Sequence, residues 1–318
     1  MSNENIADTP KPVAARKRVQ EGMVLMIIAM LLMPGIDAIA KGVSGTISSG
    51  QVTWSRFFFQ TVILIPFVLY YGGLGVGRKI WGHAARGVLI GGATLMFFTS
   101  LRVLPLADAI AIFFVEPFIL TLLSVVLLGE RVGWRRLAAI SVGFCGAMII
   151  VQPSYEIFGV SALYPLGAAT LFAFYMVLTR WLAGTSSAVA MQFYTGVFGM
   201  LTLSAGLLVG KVNGIDTLSF VWPTAMEWAL LGGLGFIGTF GHLMIIMAVR
   251  RVGAGLVAPF QYMEIISATI LGYMFFGDFP DVVTWVGIVI IVASGLYVFY
   301  RERLLAEAED DESLAPAP

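Results

Sequence analysis

FFVEPFILTLLSVVLLGE, residues 113 to 130, is an apolar run of about one membrane-crossing helix that carries Glu116 inside it, with Pro117 next in line. A carboxylate there needs a reason, because a charge near the bilayer centre costs about 2.5–3.5 kcal/mol on insertion scales. A second run, QYMEIISATILGYMFFGD at 261 to 278, lies 148 positions further on, so that Glu264 falls on Glu116 and Gly277-Asp278 falls on Gly129-Glu130. The two stretches read as copies of one segment.

Composition sets the class around them. Of 318 residues, 58% are hydrophobic and 12% charged, and the mean hydropathy is +0.90, which predicts an all-α integral membrane protein. Nineteen basic residues balance nineteen acidic ones, so net charge points to no nucleic acid. The expected partners are the lipid bilayer and a small-molecule substrate. The single Cys145 forms no intramolecular disulfide, and His83 and His242 are too far apart in sequence for a conventional Cys/His metal cluster. No phosphate-binding glycine loop is present, so no cofactor and no ATP-driven pump are expected.

Ten spans are predicted, at about 22–41, 52–71, 87–104, 107–128, 137–152, 160–180, 188–209, 228–248, 254–276 and 282–300. With the N-terminus inside, fifteen of the nineteen basic residues fall on the cytoplasmic side, and only Lys41, Arg56, Arg102 and Lys211 lie at outer ends. The first apolar run lacks a small-residue cleavage site and reads as an uncleaved helix. These features predict a multi-pass protein of the bacterial inner membrane with both termini cytoplasmic. The expected divisions are an N-terminal tail at 1–21, a first repeat at 22–152, a second at 160–300, and an acidic disordered tail at 301–318.

The 148-residue offset also puts Arg102 on Arg250 and Ala139 on Gly287, whereas the earlier spans align near 139, where Lys41 falls on Arg180. The halves therefore match as spans 1–5 and 6–10. Five is odd, so the second copy enters the membrane from the opposite side. This inverted repeat is the architecture of many secondary transporters with a midplane site.

Glu116 and Glu264 are the leading candidates to line that site, binding substrate or carrying a coupling proton. Asp37 follows Pro34-Gly35, a pair that can open a helix, and has two readings: an i, i+4 pair with Lys41, or a site residue. Arg56 either snorkels to the headgroups or meets an anionic substrate group or Glu116. His242 is an interior hydrogen-bonded ring or a proton relay. Gln60, Tyr175 and Gln261 are further candidates for a cavity wall, and Asp108 is placed at an outer helix end, as entrance residue or in contact with water. Glu130 is read as a cytoplasmic helix end beside Arg131, satisfied by an ion pair or water. One enzyme-like signal, Gly-Val-Ser-Gly at 42–45, matches the serine motif of intramembrane proteases, with His242 as the conceivable base.

The apolar helix with Glu-Pro at 116–117, closing on Leu-Gly-Glu-Arg at 128–131 and echoed by Phe-Gly-Asp at 276–278, resembles the EamA-type ten-helix branch of the drug/metabolite transporter superfamily. The second copy departs from the pattern at Ile265, in place of the proline, and at Asp278, in place of the closing glutamate. MPGIDAIAK at 33–41 and SRFFFQ at 55–60 look most like bacterial carriers of bulky vitamins and cofactors. The resemblance implies a carrier and no enzyme, with riboflavin uptake as first expectation and an S-adenosylmethionine or amino acid/metabolite carrier or exporter next. Coupling ion, direction and oligomeric state are not set by it.

Overall fold

The computed structural model describes residues 12–71, 79–128, 133–182, 187–252 and 258–314, and among them there is no strand. Glu130, Arg131 and the first eleven residues lie outside the described set. Ten helical columns run in chain order. They are α1 (Pro12–Leu32, then Pro34–Val43), α2 (Ser49–Tyr71), α3 (Ile80–Ser100), α4 (Leu106–Phe113, then Glu116–Leu128) and α5 (Trp134–Phe158). The second five are α6 (Tyr164–Trp181), α7 (Ala188–Asn213), α8 (Ala225–Val252), α9 (Met263–Phe276, after a 3-10 turn at Ala258–Tyr262) and α10 (Val282–Leu314). Six stretches are long and apolar enough to cross a membrane, and Leu137–Val151 and Val282–Tyr297 are shorter apolar helices.

α10 continues as helix past residue 301 to Leu314. Its Arg, Glu, Leu and Ala residues are strong helix formers, and a helix already nucleated in the bundle extends through them at little cost.

Helix packing repeats the sequence duplication. α1 packs on α8 as α6 packs on α3, α2 on α8 as α7 on α3, and α4 on α6 as α9 on α1, while α2 meets α7 and α5 meets α10. Exchanging the first five helices with the second five maps this set onto itself, the pattern of two inverted five-helix repeats about a pseudo-twofold axis. Large apolar side chains such as Leu69, Val126, Val212 and Phe275 face outward, as lipid requires. Exposed Trp81, Trp134 and Trp181 sit at one set of helix ends and Trp222 at the other, where amphipathic rings favour the headgroup level. The α5–α10 crossing is tight: a Cβ on Gly287 would stand 2.3 Å from Ile150 Cγ1 and 2.8 Å from the Gly146 carbonyl.

Three columns are interrupted. Pro34 supplies no N–H, and its ring opposes the carbonyl one turn back, so α1 breaks at Met33. The Ser267 hydroxyl of α9 donates to the Leu31 carbonyl at 2.7 Å, satisfying backbone beside the break. α4 breaks at Phe114-Val115 and restarts at Glu116 with Pro117 in its first turn, where a missing N–H costs nothing. α9 shows the same discontinuity 148 positions later, where the 3-10 turn ends at Tyr262 and Glu264 falls in the first α-helical turn. The departure at Ile265 therefore leaves the interruption in place.

Candidate functional site

The interruptions face one another around a cavity. Its walls include Asp37 of α1, Arg56 of α2, Thr94 of α3, Glu116 of α4, His242 of α8, and Gln261 and Glu264 of α9. The cavity measures about 200 Å³, room for roughly seven water molecules at their liquid share of about 30 Å³ each. Phe97, Phe98, Phe113, Phe114 and Phe172 supply an aromatic wall, with Met30 and Met33 adding thioethers. Phe97 meets Phe113 edge-on at 5.4 Å, and Phe113 meets Phe172 at 5.6 Å, so the wall is a braced ring cluster rather than scattered side chains.

The polar groups are sparingly matched within the protein. Glu116 Oε1 is buried without a hydrogen-bond partner, and so is Arg56 Nε. Arg56 Nη1 donates to Thr94 Oγ1 at 2.7 Å, and the guanidinium lies 5.4 Å from the Phe57 ring centre. Asp37 and Arg56 attract one another electrostatically, without forming an ion pair within 4.0 Å. His242 Nδ1 lies 2.8 Å from the Gly238 carbonyl. A carbonyl only accepts, so Nδ1 carries the proton and Nε2 of the neutral ring is left as an acceptor.

Lys41 does not pair with Asp37. Its Nζ donates at 2.6 Å to Asp278 Oδ2 and at 2.6 Å to the Leu104 carbonyl. The cause is local: Gly277, at φ +72°, ends α9 in the left-handed region, and the Asp278 N–H bonds back to the Gly272 carbonyl at 3.2 Å. That turn aims Asp278 at the end of α1. Asp37 is thereby left to the cavity. Asp108, expected as an entrance residue or in contact with water, is 8% exposed, with Oδ1 buried and without a hydrogen-bond partner. The same end of the bundle carries further bonds between the halves: Ser48 Oγ donates to the Ser219 carbonyl at 2.6 Å, and Gln51 exchanges two bonds with the Val221 backbone.

Five of the seven residues singled out in sequence therefore meet in one cavity: Asp37, Glu116, His242, Gln261 and Glu264. Gln60 and Tyr175 stand outside it. Gln60 is buried between helices and donates to the Gln192 carbonyl at 2.9 Å, tying α2 to α7. Tyr175 accepts from Arg86 Nη2 at 3.0 Å, and its ring backs Phe172 at 5.5 Å from behind the wall. Of the two readings of Arg56, at the headgroups or facing inward, the structure has it facing inward, on the cavity wall. Thr94 was not singled out, although the 148-residue offset that relates the glutamates also relates Thr94 to His242. Ser44 donates to the Lys41 carbonyl at 2.7 Å and is not on the wall with His242, so no serine–histidine pair is built.

A polar cavity walled by interrupted helices inside an inverted two-repeat bundle is the arrangement of a membrane transporter. The chain belongs to the EamA-like transporter family, whose sequence model matches residues 20–152 and again 159–300. It is 30% identical over 293 residues to the S-adenosylmethionine uptake transporter of Rickettsia bellii (strain RML369-C), covering 91% of this chain and 97% of that protein. It is 26% identical to the riboflavin transporter of Rhizobium johnstonii (strain DSM 114642 / LMG 32736 / 3841), covering 90% and 93%. A solved crystal structure with 20% identity matches the fold at a TM-score of 0.60, covering 90% of this chain and 99% of that one. The chain is a metabolite transporter, and riboflavin is one of several substrates named among its relatives.

Proposed function

We propose that this protein takes up S-adenosylmethionine, or a close cationic amino-acid metabolite, across the bacterial inner membrane by alternating access. The observation that carries the reading is the cavity itself, with three carboxylates, Asp37, Glu116 and Glu264, set against a wall of five phenylalanines. S-adenosylmethionine brings a sulfonium and an ammonium for the acids and a planar adenine for the rings. Riboflavin would suit the rings equally, but it is uncharged and offers the acids no cation. The first sequence expectation therefore gives way to the second, in line with the identity to the Rickettsia bellii protein.

In this reading the acids hold the cationic groups, and Gln261 and His242 Nε2 complete the hydrogen bonding of the substrate. Gln60 and Tyr175 act from outside as positioning residues, one across α2–α7 and one behind Phe172. The repeats, 22–152 and 160–300, interleave in their packing, and helix groups drawn from both rock against one another about the pseudo-twofold axis, exposing the cavity alternately. The excess of Lys and Arg at one set of helix ends supports cytoplasmic termini. A proton exchanged at Glu116 or Glu264 is the proposed coupling ion.

Uptake of labelled S-adenosylmethionine into proteoliposomes containing the full-length protein tests this. Saturable uptake, displaced by unlabelled substrate and indifferent to riboflavin, is expected. Accumulation of riboflavin with none of S-adenosylmethionine would sink the assignment.

A further inference from the structure

We infer that Arg56 is the anchor for the substrate's carboxylate, so that the cavity selects amino acids of net positive charge in a single orientation. The inference rests on the cavity being the substrate site. Arg56 is the one basic side chain on the described wall, facing the three acids. Its guanidinium has five N–H donors, of which one is bonded to Thr94 and Nε has no partner, while no described carboxylate lies within 4.0 Å. A buried donor left unmatched is costly, so the vacancy is filled by water or by an acceptor that enters with the ligand. A carboxylate matches the planar fork better than any neutral acceptor does.

Symmetry sharpens the point. Glu116 and Glu264 are related by the 148-residue offset, so each half contributes one glutamate, Thr94 and His242 are related in the same way, and Asp37, which the 139-residue offset puts on Met176, is the acid without a counterpart. Arg56 has no basic counterpart. The 139-residue offset puts it on Thr195, which is buried and bonded within its own helix to the Met191 carbonyl. In a cavity with near-equivalent halves, symmetric acids alone would accept a dicationic ligand in either direction. Asp37 and Arg56, both in the first half, break that degeneracy, and Arg56 asks for an anion at the α2 wall. A ligand with one carboxylate on Arg56 and two cationic groups toward the acids gives each of its own charges a partner, and a dication lacking a carboxylate leaves the open donors of Arg56 unmatched.

The test is equilibrium binding of S-adenosylmethionine and of its decarboxylated form to the full-length protein in nanodiscs. These ligands share the sulfonium, the amine and the adenine, and differ in the carboxylate. The wild type should prefer the carboxylated ligand by about tenfold to a hundredfold, the range of a charge-assisted hydrogen bond. Arg56→Gln should bring the ratio near one while binding of the decarboxylated ligand is retained, and Arg56→Lys should restore part of it. A merely structural role predicts that both ligands weaken together. If Arg56→Gln does not fold, Thr94→Val carries the test, since loss of the hydroxyl that fixes Nη1 should weaken the carboxylated ligand selectively. Equal affinities in the wild type, or parallel losses in the variants, would overturn the inference and leave the transport reading standing. Failure of the wild type to bind either ligand would overturn both.

Discussion

Phe114 and Tyr262, 148 positions apart and equivalent in the two repeats, meet ring to ring with centroids 5.3 Å apart and planes 34° to one another. Each stands two residues before a cavity glutamate, at the point where its helix is interrupted. The pseudo-twofold axis therefore passes between these rings, and the breaks in α4 and α9 are in direct contact. Gly295 makes room for this arrangement, since a Cβ there would stand 1.6 Å from Tyr262 Oη and 2.7 Å from Cζ. Gly295→Ala should displace the tyrosine and lower the uptake rate by about tenfold, as misplacement near a binding site does. Gly233→Ala, where a Cβ meets nothing within 4 Å, is the matched control and should leave uptake unchanged.

Removal of either central charge should cost transport without costing the fold. Glu116 Oε1 has no partner in the protein, so Glu116→Gln breaks no native hydrogen bond at that atom. We expect kcat/KM for uptake to fall about tenfold or more for Glu116→Gln and for Glu264→Gln, with melting temperatures close to wild type. Unchanged kinetics in both would remove the glutamates from the site.

The Lys41–Asp278 contact closes the bundle at the end where Ser48 and Gln51 also bind the other half. The pair is partly buried, at 14% and 28% exposure, and a bridge of that kind contributes roughly 1 kcal/mol. Lys41→Ala should shift the access equilibrium about fivefold toward states open at this end. Thiol labelling of a cysteine placed at Phe97, in a Cys145-free background, should quicken from that side. The reversed pair Lys41→Asp with Asp278→Lys should slow it again, and a labelling rate indifferent to all three changes would mean that the contact does not hold the end shut.

Packing at the α5–α10 crossing is open to a different measurement. Gly287→Leu forces a side chain into space already taken by Ile150 and the Gly146 carbonyl. Overpacking of this kind costs about 1–3 kcal/mol, and a lowered melting temperature of the purified protein should report it. A melting temperature equal to wild type would show that the two helices separate freely.

Much of this architecture was legible in the chain. The offset relating Glu116 to Glu264 placed two acids opposite one another, and the proline beside Asp37 marked a broken helix; these are signals of covalent chemistry and spacing, and they survive folding unaltered. Arg56 and Lys41 were harder to place for a common reason. Long cationic side chains reach several ångströms along or away from their helix, so position in sequence fixes their root and not their charge. Lys41 had an acid one turn away and took another 237 positions distant, because the left-handed turn at Gly277 presented it. Gln60 and Tyr175 show the complementary limit: a polar group inside a span can equally bind a neighbouring backbone or face a ligand, and only the packing of α2 on α7 and of Tyr175 against Phe172 decides which.

The exchange of partners between the halves also bears on how the chain is made. α1 rests on α8 and α3 on α6, so the first helix to leave the ribosome, beginning at Pro12, waits for a partner that begins at Ala225, some two hundred residues later. Until α8 and α9 arrive, Asp37, Arg56 and Glu116 lack His242, Gln261 and Glu264 across the cavity. The first five helices are therefore an assembly intermediate rather than half a carrier, and the last stretches of translation close the cavity.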